Sequence, residues 1–549
     1  MEEITTCIPV DPASNGNPLI YGSIISKLPA EGGSFSRVRR WMSIEIEEMV
    51  EILKLALPMF ISMLMLMLIS FVSTVFCGHL GKTELAAVTL ATSVVNITGI
   101  SIGTGLASAF DTLISQIFGS NNLKYVGVIV QRGILILLLS CFPCWALLIN
   151  TEPILLAFHQ SPEVSRLTQL YVRIFMPALP ACFMYQLQGR YLQNQGIIWP
   201  QVVTGVVGNL LNAITNYTFL YQLNLGVAGS AAANTISQYT LAIVIYVYIL
   251  WRGLHKATWD GWSCDCLQEW GPFLYLAVPS MLMMCLEWWT YEIGVFMAGF
   301  IGEAELGAMS ALYQVSSITF MFPLGFAVAA NVRMGNALGA GNTEQAKLSG
   351  QVSFICAFTV SLVIAIILGL TKDVKAFWVF LQVLMGGVVR VAGKQMVGAV
   401  SYLVGYYIIG LPIAVSLMFP FKMCILGFRI GFFLCSILHS IFLIVYICKL
   451  NWKQTTYEAL VRAGVQSLKE NAPCMDKTRG TYKNTLTCLS TVGVVLSVRH
   501  LVLRRGLAVV IMLLILAIGI VTNQLLTVTL PPKPTLPLLF PNATNTQPA

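Results

Sequence analysis

The chain carries a series of apolar stretches that are each long enough to cross a bilayer as a helix, which takes about 17–25 residues. Twelve of them follow one another at 52–76, 85–110, 126–149, 168–188, 200–221, 227–251, 273–299, 306–330, 352–370, 397–419, 424–448 and 506–530. Only 10% of the 549 residues are charged, against about 25% in soluble domains. We therefore expect an all-α polytopic membrane protein, which excludes a soluble enzyme, a nucleic-acid-binding protein and a disordered scaffold.

One further apolar run, Ala376–Val389, has only 14 residues. If this run does not cross, every later loop changes sides of the membrane. If it is extended to 374–390, it spans about 25 Å, a marginal crossing. We expect the marginal crossing, because Arg390 and Lys394 then stay on the cytoplasmic side.

The distribution of basic residues predicts the orientation. Arg37, Arg39 and Arg40 precede the first span, which places the N-terminus in the cytoplasm. The loops predicted on that side contain Lys124, Arg132, Arg190, Arg252, Lys256, Arg333, Lys347, Arg390 and Lys394. Residues 451–505 add nine Lys and Arg against three acids, so we expect a basic cytoplasmic segment there. The last span then ends outside, where Asn542-Ala-Thr is a glycosylation sequon.

The chain also contains an internal repeat. Leu55-Ala-Leu-Pro58 recurs as Leu276-Ala-Val-Pro279, 221 residues later, and Gly119-Ser-Asn-Asn122 recurs as Gly339-Ala-Gly-Asn342, 220 residues later. The offset covers six spans, an even number, so both halves have the same orientation. This pattern predicts two parallel six-helix lobes related by an axis along the membrane normal, with the substrate pathway between them.

The repeat is shorter in the second half. Gly196 and Gly208 match Gly393 and Gly405 at an offset of only 197 residues. The missing 24 residues fall between Gly339 and Gly393, where the 14-residue run lies. We therefore expect a shortened tenth span.

Two acids, Glu287 and Glu292, lie deep within the seventh span. A carboxyl group inside hydrocarbon is costly and normally faces a cavity or a partner. On a helix the two are about 140° apart, with Tyr291 on the face of Glu287 and Trp288 on the face of Glu292. An aromatic face beside a carboxylate suits an organic cation. The structural alternative is a polar pair that joins two helices.

Other polar residues in the spans are weaker candidates. Asp111 is the main acid of the first half, near the inner end of the second span, and could be functional or simply hydrated. Asn96 could contact substrate or form an interhelical hydrogen bond. The cysteines and histidines form no metal or catalytic set, so we expect no cofactor, no metal and no enzymatic activity.

Several motifs resemble those of the multidrug and toxin extrusion (MATE) transporters, in particular the mammalian organic cation/proton exchangers. They are Cys77-Gly-His-Leu-Gly81, Tyr191-Leu-Gln-Asn-Gln-Gly196, Trp199-Pro-Gln, Val278-Pro-Ser-Met-Leu, Glu287-Trp-Trp-x-Tyr-Glu292 and Gly335-Asn-Ala-Leu-Gly-Ala-Gly341. The resemblance implies export of cationic drugs and metabolites in exchange for protons. It also implies a plasma-membrane location, often apical, and a thirteenth C-terminal span.

The resemblance further implies that Glu287 and Glu292 bind cation or proton. It places Gln314 where the family has an eighth-span acid, and Val379 where it has a tenth-span acid. These two departures leave an alternative open, a transport-impaired paralogue or isoform that lacks part of span 10 and keeps a residual binding or regulatory role. We expect protons, small organic cations and the lipid bilayer as partners, and no nucleic acid.

The predicted organisation has seven parts. They are a cytoplasmic N-terminal tail (1–50), an N-lobe (51–252), a cytoplasmic inter-lobe loop (253–272), a C-lobe (273–449), a basic cytoplasmic segment (450–505), a C-terminal span (506–530) and an extracellular tail (531–549).

Overall fold

The computed structural model describes residues 34–158, 160–299, 301–369, 376–465 and 498–529, and the regular secondary structure of these residues is helical, with no strand among them. Such a fold follows from the composition, because a helix satisfies all its backbone hydrogen bonds internally and can therefore cross lipid. The C-terminal tail with Asn542 lies outside the described residues.

The first half contains six long helices in an up-and-down order. They are α1 (Ser34–Gly78), α2 (Lys82–Gly119), α3 (Leu123–Ile149), α4 in two segments (Pro162–Phe175 and Ala178–Gln193), α5 (Trp199–Tyr217) and α6 (Gly226–Trp251). The helix α1 begins well before the apolar stretch that starts at residue 52.

The second half repeats this arrangement, and two further helices follow it. They are α7 (Trp270–Gly299), α8 (Glu303–Gly339), α9 (Thr343–Gly369), α10 (Ala376–Val391), α11 (Gln395–Met418), α12 (Cys424–Cys448), α13 (Trp452–Arg462) and α14 (Val498–Thr529). Among the described residues, nine helices are long and apolar enough to cross a membrane, or ten when the two segments of α4 count as one bent span. The expectation of a polytopic all-α protein is confirmed.

The tenth helix is short but keeps its place in the second half. The 16 residues of α10 reach about 24 Å, against a hydrocarbon core of about 30 Å. The helix packs on α8, α9 and α12. Its last turn lies against α2, where the Thr112 hydroxyl donates to the carbonyl of Arg390 (2.9 Å).

The expected assignment of Arg132, Arg190, Arg333 and Arg390 to cytoplasmic loops is wrong. All four lie inside helices and are at most 8% exposed. Arg190, Arg333 and Arg390 lie one to three residues past their apolar stretches, on helices that continue beyond them, and Arg132 lies within its stretch 126–149, so in each case a neighbouring helix covers the charge. We call the end of the bundle where these arginines and Lys394 lie the cytoplasmic end, a label that follows the orientation expected from the sequence.

The last helix packs against the first half. In α14, a Cβ added at Gly519 would meet Ala146 of α3 at about 2.8 Å, so the two helices are in close contact. The side-chain amides of Asn150 and Asn523 donate to the carbonyls of Gly519 and Ile149 at 2.9 and 3.0 Å. These polar contacts fix α14 on α3 although most of the surface of α14 is exposed.

The two halves meet most closely where α2 and α8 cross at the cytoplasmic end. A Cβ added at Gly119 would overlap the backbone of Asn336, and one added at Gly339 would overlap the backbone of Gln116. The repeat relates these contacts, since Gln116 and Gly119 correspond to Asn336 and Gly339 at the same offset. Glycine on both sides therefore lets the two backbones touch.

We predict that Gly339→Ala lowers the thermal midpoint of the purified protein by several degrees. The new methyl group overlaps a backbone oxygen, and overpacking of this kind costs about 1–3 kcal/mol. The control is Gly350→Ala on α9, where an added Cβ has only ordinary contacts at 3.5 Å. Intrinsic fluorescence during heating measures both, and equal midpoints for the two variants would contradict the tight crossing.

Candidate functional site

A cavity lies between the two halves, and six helices contribute to its wall. Its residues are Thr104, Asp111, Arg190, Met284, Glu287, Trp288, Phe320, Leu324, Ala327, Val328, Asn331, Val383, Gly387, Arg390 and Tyr402. Its free volume is about 50 Å³, room for a few water molecules, whereas drug-sized pockets measure about 300–1,000 Å³. The halves are therefore closed around the cavity in this structure.

Glu287 contributes a carboxyl group to the cavity from the middle of α7. The residue is 4% exposed, and its Oε1 has no hydrogen-bond partner within the described part of the chain. Trp288 lines the same cavity. The neighbouring Trp289 anchors this stretch, since its indole N–H donates to the carbonyl of Ile97 on α2 at 3.1 Å.

Asp111 forms the second carboxylate of the cavity, and it is paired. The Arg190 guanidinium of α4 lies 3.1 Å from Asp111 Oδ2, and both side chains are more than nine-tenths buried. Arg190 also donates to the Gln193 side chain at 3.3 Å. The sequence left a hydrated position open for Asp111, but the structure places it in a buried ion pair.

Arg390 is a cavity residue that the sequence analysis missed. It lies in the last turn of α10, is 8% exposed, and its Nε has no partner among the described residues. Its backbone carbonyl accepts hydrogen bonds from Thr112 and Gln395. The one available signal was its position directly after a short apolar run.

The cavity therefore combines two carboxylates with two guanidinium groups. Arg190 compensates Asp111 directly, and Arg390 interacts electrostatically with both acids without forming a salt bridge to either among the described residues. Glu287 is the carboxyl group of the cavity that lacks an ion-pair partner within the described residues. We expect a cation that enters the cavity to pair with the carboxylate of Glu287.

Three other candidates, Tyr291, Glu292 and Asn96, do not line the cavity. Tyr291 packs against Phe432 of α12, with ring centroids 4.8 Å apart, and Glu292 is half-buried on another face of α7. Asn96 is partly buried and begins the π-helical turn Asn96–Ile100 in α2. The side chain of Gln314 lies outside the described residues, as does that of Val379.

An aromatic cluster of the second half borders the cavity and was not predicted. Tyr402 lines the cavity, and its ring packs edge-on against His439 at 4.3 Å. His439 Nε2 lies 3.0 Å from the Ser401 hydroxyl, and the Gln382 amide donates to the Tyr406 hydroxyl. His439 appeared isolated in the sequence because its neighbours come from a different helix.

No group of three or more His, Cys, Asp or Glu residues with the geometry of a metal site occurs among the described residues.

The family is established by comparison with known proteins. The MatE family model matches residues 58–218 and 279–376. The chain is 60% identical over 552 residues to multidrug and toxin extrusion protein 1 of Danio rerio, covering 90% of this chain and 93% of that protein. It is 47% identical over 534 residues to the Homo sapiens protein of that name, covering 87% and 93%.

Solved structures agree with this result. The crystal structure of the eukaryotic MATE transporter AtDTX14 has a TM-score of 0.72 and 26% identity, covering 76% of this chain and 99% of that chain. A Vibrio cholerae MATE transporter, VcmN, shares the fold with a TM-score of 0.66 at 18% identity, covering 75% and 99%. The chain belongs to the multidrug and toxin extrusion family, and it is a multi-pass membrane transporter.

We predict that Asp111→Asn destabilises the protein far more than loss of an exposed ion pair does. The change leaves Arg190 buried and unpaired, which costs about 3–5 kcal/mol. Adding Arg190→Gln to the same variant should restore part of the stability.

The control is Asp260→Asn, whose carboxylate pairs with Lys124 at a site where both side chains are more than 60% exposed. Exposed pairs contribute about 0–1 kcal/mol. Thermal midpoints in detergent compare the three variants with the parent, and equal losses for Asp111→Asn and Asp260→Asn would refute the buried pair.

Proposed function

We propose that the chain exports organic cations in exchange for protons, by exposing the central cavity alternately to the two sides of the membrane. The observation that carries this proposal is Glu287, a buried carboxyl group for which the described part of the chain provides no ion-pair partner, beside Trp288 in a cavity between the halves. The relatives are named multidrug and toxin extrusion proteins, which supports the substrate class.

In this mechanism a proton and a cation compete for Glu287. When the carboxyl group is protonated it carries no charge, so the cation loses its main electrostatic partner and leaves. When the proton leaves, the carboxylate attracts the next cation, whose charge is also stabilised by the face of Trp288. Competition for one group couples the two fluxes without any contact between proton and substrate.

The remaining candidates have supporting roles in the proposal. Glu292 and Tyr291 lie on the same helix as Glu287 but outside the closed cavity, and in the proposal they contact substrate in another conformation of the transport cycle. Asn96 belongs to a π-helical turn, a feature that often occurs at functional sites. Asp111 keeps its charge paired with Arg190, and Gln314 offers an amide where the family has an acid.

The moving units in the proposal are the N-lobe at 51–252 and the C-lobe at 273–449. The loop at 253–272 joins them in the cytoplasm, 1–50 and 450–505 are also cytoplasmic, and 506–530 leads to an extracellular tail at 531–549. We place the protein in the plasma membrane, in an apical surface where the cell has one, because efflux of xenobiotic cations requires access to the outside.

A second candidate function rests on the short α10 and on Gln314. Each removes a carboxyl group that the family uses, so fewer groups remain where a proton can displace a cation. On this view the chain binds cations but is impaired in exchange, with a residual binding or regulatory role. The buried Glu287 favours the transporter.

We predict that Glu287→Gln reduces the initial rate of proton-driven cation uptake by roughly tenfold or more, because removing one charged partner costs about 2 kcal/mol or more. Glu292→Gln should also reduce this rate. Membrane vesicles with an outward proton gradient and a labelled quaternary ammonium ion provide the assay.

The matched control is Glu163→Gln, an exposed acid at the start of α4. Surface expression is measured for every variant. Normal saturable uptake by Glu287→Gln would overturn the proposed role of this carboxyl group.

A further inference from the structure

Glu48 of α1 accepts hydrogen bonds from four donors of the second half. The Arg333 side chain of α8 donates from Nε at 2.9 Å and from Nη2, while Gln345 and Ser349 of α9 donate at 2.9 and 2.7 Å. Glu48 is 3% exposed and Arg333 is 7% exposed. We call this set of four side chains the Glu48 clasp.

The clasp has a counterpart at the position that the repeat predicts. Glu269, 221 residues after Glu48, directly precedes α7 and accepts a hydrogen bond from Tyr125 of α3 at 3.1 Å. Tyr125 in turn corresponds to Gln345 at an offset of 220. In each half, therefore, a glutamate shortly before the apolar part of the first span contacts the third helix of the other half.

The two contacts differ in strength. The carboxylate of Glu48 has four charged or polar donors and is excluded from water. The side chain of Glu269 is 31% exposed, and its cationic neighbour Arg132 lies 3.9 Å away, beyond hydrogen-bond distance. Hydrogen bonds to a charged group contribute most when both partners are buried, so the Glu48 clasp is the stronger connection.

The clasp lies at the cytoplasmic end, next to the crossing of α2 and α8. Arg333 is two residues from Gly335, which meets Ser115 of α2. The helix α1 itself packs both on α5 of its own half and on α8 of the other half. A path from the cytoplasm to the cavity must separate these helices, and this separation breaks the clasp.

We propose that the Glu48 clasp holds the cytoplasmic side of the transporter closed, so that Glu48 is a positioning residue that sets how often the cavity opens to the cytoplasm. The inference rests on the proposed alternating access. Because the clasp joins the halves only when this side is closed, losing it destabilises the closed arrangement and leaves the cytoplasm-open one unchanged.

The test measures access to the cavity from each side. Thr104→Cys places a thiol on the cavity wall, where the Thr104 hydroxyl has no partner among the described residues. A membrane-impermeant maleimide labels it in inside-out or right-side-out vesicles, and the chain without this cysteine gives the background. No substrate and no proton gradient are needed.

In this background, Glu48→Gln should raise the labelling rate from the cytoplasmic side by roughly tenfold, as expected for loss of hydrogen bonds to a charged group. Labelling from the extracellular side should fall. The control is Glu51→Gln, three residues later on α1, whose carboxylate pairs with Lys54 on the exposed surface. Ser349→Ala and Gln345→Leu each remove one donor and should shift labelling in the same direction by a smaller factor.

Equal labelling of Glu48→Gln and Glu51→Gln overturns the proposal, and so does a rise from both sides, which would indicate a loosened fold. If Glu48→Gln does not fold, the test relies on the Ser349→Ala and Gln345→Leu variants. Unchanged labelling rates in both of these variants would overturn the proposal. Failure of the proposed transport function appears separately, as absent cation uptake by the parent chain.

Discussion

The close approach of α2 and α8 determines how the two halves enclose their cavity. Gly119 and Gly339 allow the two backbones to touch at the cytoplasmic end, and Asp111 and Glu287, one from each half, line the cavity enclosed between them. A side chain at either glycine would hold the halves apart. The internal repeat explains why a glycine lies at this contact on both helices. It also relates Glu48 to Glu269, which occupy equivalent positions in the two halves.

The two carboxyl groups of the cavity differ in whether a cationic side chain pairs with them. Asp111 is neutralised by Arg190 within the first half, so the ion pair survives whether or not the halves separate. Glu287 comes from the second half and lacks such a pair among the described residues. We propose that the first carboxyl group has a structural role and that the second is available for a ligand.

Much of the fold could be predicted from the sequence, because apolar stretches and repeat offsets are local features. The helices, the two repeated halves and the short tenth span followed from them. Helical spacing put Trp288 on the face of Glu292 and not on that of Glu287, whereas in the structure Glu287 and Trp288 both line the cavity. Arg390 and Glu48 could not be predicted, since each lies at the end of an apolar stretch where a charge normally faces water. Only the packing of a different helix turns such a position into a buried one.

The same reasoning explains why Tyr291 and Glu292 do not line the closed cavity. The sequence gives the angular positions of these residues around α7 relative to Glu287. It does not show which face of α7 another helix covers. Phe432 of α12 covers the face of Tyr291, and that contact joins residues 141 positions apart in the sequence.

The most direct test of the account is uphill transport by the purified protein in liposomes. With an acidic interior and no membrane potential, the account predicts that a labelled quaternary ammonium ion accumulates above its external concentration. It also predicts that a proton ionophore releases the accumulated ion. Equilibration without accumulation, or no uptake by protein that is correctly folded, would contradict proton-coupled exchange and favour the transport-impaired alternative.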